Sequence, residues 1–164
     1  MHQIKFADMK WSKLKKSIED RFADSVKGKV KIYTTRYTIG SNFMVRGWIT
    51  INGEEIANFS TPDNYNKFSW NTPDIDKRIP ENERTENSAV EKGEFSRYEF
   101  FDACNAFLNL SIEDALICPN PIVKAFAVID SRFGKRRMLS FNNENEHPLV
   151  LKLLDFRMKE EGLK

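Results

Sequence analysis

A chain of 164 residues is long enough to bury one hydrophobic core and too short for two comfortable domains, so it reads as a single domain over 1–164. With 40% hydrophobic and 30% charged residues the composition excludes a wholly disordered chain, and no apolar run reaches the ~20 residues a helix needs to cross a bilayer. Net charge is only +2, which argues against a dedicated nucleic-acid binder, yet the sum runs +5 over residues 1–60, −6 over 61–120 and +3 over 121–164.

Met1–Asp8 lacks the long apolar stretch of a signal peptide and reads as a flexible extension of a cytoplasmic protein. From Met9 to Ser25 the spacing predicts an amphipathic helix, because Trp11, Leu14, Ile18 and Phe22 fall on one face. Asp8 or Ser12 is placed to cap its start, and Gly28 to end it. Lys29–Thr38 then alternates β-branched and aromatic residues with polar ones, the pattern of a strand. A second strand, Met44–Ile51, meets a third, Glu54–Phe59, across Asn52-Gly53, two residues that accept the positive φ of a tight hairpin turn.

Residues 61–87 hold three turn-like clusters around Tyr65, Phe68 and Trp70, and read as a long, partly ordered loop. Helical signals follow. Ser96 with Glu99 and Ser111 with Asp114 have the spacing of capping boxes, and Asn120-Pro121 opens a helix expected to run to Phe133 with Gly134 as its terminator. His147-Pro148 opens the last helix, which ends before Gly162. The expected fold class is α+β: an N-terminal amphipathic helix packed on a three-stranded antiparallel meander, followed by a C-terminal bundle of about four helices. Trp11, Ile18, Phe22, Trp48, Phe101, Phe107, Phe126 and Leu153 are its expected core, and Cys104 and Cys118 are expected to be reduced.

Chemistry is sparse. There is no phosphate-cradling glycine loop, dinucleotide fingerprint or nucleophile elbow. His147 lacks the companions of a zinc site, so neither metal nor cofactor is expected. The clearest cluster is Lys135-Arg136-Arg137, whose arginine forks suit phosphate or carboxylate. Placed just after Gly134, the same cations would also offset the negative end of the preceding helix without any ligand. Arg36 and His147 complete the candidate anion or partner site.

Several blocks carry a resemblance. Trp11-Ser12-Lys13-Leu14-Lys15-Lys16, Thr35-Arg36-Tyr37, the run from Trp48 to Ile56, the run from Leu110 to Leu116, Gly134-Lys135-Arg136-Arg137 and Glu146-His147-Pro148-Leu149-Val150 resemble a small family of bacterial hypothetical proteins. The resemblance implies a bacterial, cytoplasmic, stand-alone domain and brings no catalytic residue with it.

Three functions compete. The first is a non-enzymatic binding module of immunity or regulatory type, acting through a protein partner. The second is nucleic-acid binding through Lys13, Lys16, Arg36, Arg46, Arg136 and Arg137, with Tyr33 or Tyr37 for stacking. The third is an enzyme whose acid–base groups come from Asp130, His147 or Arg36 converging in a cleft.

Overall fold

The computed structural model describes residues 10–39, 42–59 and 97–164, with the backbone alone described at 35–39, 42–46 and 97–99. The extension Met1–Asp8, the loop 61–87 and the Ser96 capping residue lie outside the described residues. Helix α1 (Trp11–Glu19) precedes β1 (Val30–Ile39), β2 (Asn42–Ile51) and β3 (Glu54–Phe59). The three strands form an antiparallel sheet in the order β1-β2-β3. Among the described residues five helices follow: α2 (Arg97–Asn109), α3 (Ile112–Leu116), α4 (Pro121–Val128), α5 (Lys135–Ser140) and α6 (Pro148–Glu160). The fold is α+β.

The β2–β3 turn forms where the sequence places it, with Asn52 at φ 50° and Gly53 at φ 83°, the left-handed pair that matches strand twist. Val30, Ile32 and Ile49 turn the core face of the sheet inward, and α1 packs beside it through Leu14 and Ile18. Helix α2 lies on the same face. Phe100 sits over Gly47 of β2 and stacks on Phe59 with ring centroids 4.3 Å apart and planes within 6°. Beyond it Phe126 of α4 meets Phe100, Phe107 and Phe22, so one chain of rings joins the sheet to the helices.

Two side chains of α1 shield the open edge of the sheet. The Lys15 ammonium donates to the Ile32 carbonyl, and the Glu19 carboxylate accepts from the Ile32 N–H at 3.5 Å. An edge strand so occupied is a poorer template for another chain.

Local caps hold as expected. Ser111 Oγ accepts from the Asp114 N–H at 3.1 Å, and Asn120 Oδ1 accepts from the Ile122 N–H at 2.9 Å. Gly162, at φ 69°, ends α6 in a Schellman turn, with the Leu163 N–H donating to the Met158 carbonyl at 2.8 Å.

Five expectations need correction. Helix α1 stops at Glu19 rather than Ser25, and its N-cap is Lys10, with no side-chain cap. Phe22 continues the helical spacing but is taken into an antiparallel bridge with Asp130, which pulls the chain out of the helix. The same bridge ends α4 at Val128 rather than Phe133, and Gly134 caps the start of α5 instead of ending α4. Trp11, Trp48 and Phe101 are half-buried: Trp11 and Phe101 pack at the rim of the core, while Trp48 stacks on Tyr33 at 5.1 Å.

Candidate functional site

The bridge between Phe22 and Asp130 builds a charged junction in the interior of the fold. The Ala23 N–H donates to the Ile129 carbonyl and the Ser131 N–H to the Arg21 carbonyl, each at 2.8 Å. Asp130 is fully buried, so its carboxylate must be compensated. Arg132 does this from two residues away: Nη2 donates to Oδ2 at 2.8 Å, Nε reaches both oxygens, and the Arg132 N–H donates to Oδ1. That hydrogen bond, foremost among several influences, raises the Arg132 pKa above its ordinary value.

Arg157 of α6 closes the junction from below. Buried itself, it donates through Nη1 to the carbonyls of Val128 and Asp130 at 3.0 and 2.9 Å, and through Nε to Glu161 at 2.5 Å. It thereby satisfies carbonyls left over at the end of α4, a role helix ends require. Arg21 does the same for α2, donating to the carbonyls of Phe107 and Leu108 at 3.4 and 3.2 Å. Burial first, and the positive charge of Arg132 second, lower the Arg21 pKa.

The basic triplet continues outward from this junction. Lys135, Arg136 and Arg137 are the opening residues of α5, not the residues following a helix end. Their charges therefore stand at the positive end of a helix dipole, and the dipole-offsetting role expected for them does not apply. All three are exposed, and α5 is anchored in the core by Met138. Arg137 Nη1 donates to Glu113 of α3 at 3.2 Å, and its Nη2 points to the Arg132 carbonyl at 3.5 Å. Neither Lys135 nor Arg136 has an acidic partner among the described residues.

The other candidates lie elsewhere. His147 is the N-cap of α6, its Nδ1 accepting from the Leu149 N–H at 3.0 Å. It precedes Arg157 by ten residues of helix, about 15 Å at the usual rise, so it stands at the far end of α6 from the junction. Arg36 pairs with Val45 in the outer part of the β1–β2 hairpin. Asp130, wholly engaged by Arg132, is not a free base, and it does not meet His147. Lys16 is paired with Asp20, and Lys124 with Glu146. The stacking candidate Tyr33 is half-buried under Trp48 and the Lys15 ammonium. No group of three or more His, Cys, Asp or Glu side chains able to hold a metal occurs among the described residues.

Residues 10–158 match the sequence profile of the SF0329 protein family. The chain belongs to that family. No curated protein and no solved structure shows a significant match. The SF0329 match takes in every arginine of the junction, the basic triplet and Glu113. It begins after Met1–Asp8, the stretch expected to be an extension.

Sequence reading overlooked Arg21, Glu113 and Arg157. Arg157 was the detectable one: it stands four residues after Leu153, on the apolar stripe of α6, where a cation demands buried acceptors. Arg21 and Glu113 carry no local signal, since both are brought in by contacts distant in sequence.

Proposed function

We propose that the protein is a non-enzymatic, cytoplasmic binding module of immunity or regulatory type that recognises an acidic protein partner through the face of α5. The observation that supports this most is charge convergence. Arg21 and Arg132 adjoin the buried Asp130, Arg137 pairs with Glu113, and Lys135 and Arg136 on the same short helix as Arg137 face solvent. Leu139, 60% exposed on the same short helix, adds an apolar side chain to this basic helix, a mixture suited to a protein surface.

The test is affinity capture from native lysate with the unmodified protein and with Lys135→Glu/Arg136→Glu. A stoichiometric acidic partner should be held by the first and lost by the second at equal melting temperature. Equal retention by both, or no partner across growth conditions, would defeat the reading. A salt series against single-stranded DNA, duplex DNA and RNA runs alongside. Steeply salt-sensitive binding abolished by the same double change would transfer the face to nucleic acid, because each neutralised phosphate releases counterions.

A further inference from the structure

Glu113 occupies an unusual position on the basic face. It stands in the first turn of α3 and accepts a hydrogen bond from Arg137 of α5, with the two side chains 67% and 46% exposed. The same carboxylate acts electrostatically on Arg132. Arg132 gives its Nε and Nη2 edge to Asp130, and its Nη1 has no partner among the described residues. Arg21 adjoins Arg132, their segments being held together by the hydrogen bond between Ser131 and the Arg21 carbonyl. One solvent-exposed carboxylate thus sits against Arg137 and acts on Arg132, in an ion pair open enough to exchange with other anions.

We propose that Glu113 is an internal placeholder for a phosphate monoester carried by the partner protein, which displaces it and takes the seat between Arg132 and Arg137. The proposal rests on the acidic-partner reading of the same face and names the partner's chemistry. Charge complementarity favours phosphate. Arg132 and Arg137 are matched by Asp130 and Glu113, Lys135 and Arg136 add exposed positive charge on the same short helix, and a phosphorylated side chain brings about −1.5 to −2 at neutral pH. A carboxylate fills one guanidinium fork, whereas the three oxygens of a phosphate can engage several at once.

The experiment titrates the full chain with a phosphoserine peptide flanked by acidic residues. The same peptide with serine, the same with glutamate, and inorganic phosphate are run beside it. The phosphopeptide should bind about tenfold tighter than the glutamate form, Glu113→Gln should tighten it severalfold, and Arg137→Gln should weaken it about tenfold at unchanged melting temperature. Arg137 is the diagnostic position because Arg132→Gln also strips the buried Asp130 of its partner. Unchanged or weaker binding by Glu113→Gln overturns the proposal, as does equal affinity for the three peptides. Inorganic phosphate binding as tightly as the phosphopeptide overturns a partner-borne source. If Lys135→Glu/Arg136→Glu abolishes partner capture while Glu113→Gln changes nothing, the face stands and the phosphate seat falls.

Discussion

Replacing Gly47 by alanine tests the seam between sheet and helices with a single methyl group. A Cβ at Gly47 would lie 2.8 Å from Phe100 Cδ1, 3.1 Å from Phe100 Cε1 and 3.2 Å from the Tyr33 carbonyl oxygen. Ordinary carbon contacts begin at about 3.5 Å, so the ring would have to retreat by roughly 0.7 Å. It has nowhere to go: Phe100 is fully buried, stacked at 4.3 Å on Phe59 and wedged against Trp11, Phe101 and Phe126. Overpacking of this kind costs about 1–3 kcal/mol, of which the lower chain entropy of unfolded alanine returns roughly 0.4–1. A net loss of about 1–2 kcal/mol should lower the melting temperature by about 2–8 °C. Urea unfolding of Gly47→Ala, Phe100→Leu and the double variant measures it directly, and Phe100→Leu should cost about 1 kcal/mol less in the Gly47→Ala background than alone. An unchanged or raised midpoint for Gly47→Ala, or strict additivity, would refute the contact.

Gly53→Val should destabilise by about 1–3 kcal/mol in the same assay, since a β-branched residue resists φ 83°, and an unchanged midpoint would contradict the turn. His147→Ala should cost about 0.5–2 kcal/mol through loss of the α6 cap, whereas His147→Asn, which restores an acceptor, should recover most of it. Both cysteines should titrate as free thiols in the denatured protein. In the native protein half-buried Cys118 should react well before Cys104, whose thiol burial pushes well above its ordinary pKa. Asp155 is held below the ordinary carboxylate range by hydrogen bonds from Lys159 and then Lys164. A depressed folded-state pKa stabilises at neutral pH, and the contribution is lost as pH falls below about 4 toward the folded value. Asp155→Asn should therefore flatten the acid limb of the stability profile while lowering stability slightly at pH 7; an identical acid limb would count against the pairing.

Signals carried within a few residues were legible in the sequence. Asn52-Gly53, Ser111 with Asp114, Asn120-Pro121, His147-Pro148 and Gly162 each settle their own backbone hydrogen bonds, and each stands in the structure at its expected place. The failures share one cause. Phe22 fits the helical stripe of α1 as well as its bridge to Asp130, and periodicity cannot tell which partner it finds. Gly134 resembles a terminator, but its φ of −86° needs no glycine, and it begins a helix because the bridge has already ended the previous one. The orientation of Lys135–Arg137 depended on that choice, so the dipole argument acquired the wrong sign. The convergence of Arg21 and Glu113 on Arg132 and Arg137 has no local counterpart in the chain.

The Phe22–Asp130 bridge also governs when the molecule can finish folding as it is made. Residue 22 leaves the ribosome long before residue 130, and at about 5–20 residues per second the interval is on the order of ten seconds. The β-hairpin pairs residues close in sequence and can form within that time. Helix α1 cannot complete its packing, because Phe22 lies against Phe126, Arg21 caps the end of α2, and Arg157 closes the junction only near the last residues of the chain. Phe22 is thus left uncovered on the nascent polypeptide until α4 exists, whereas Leu14 and Ile18 can already pack on the sheet. Truncation anywhere before α4 therefore yields a chain that exposes that ring.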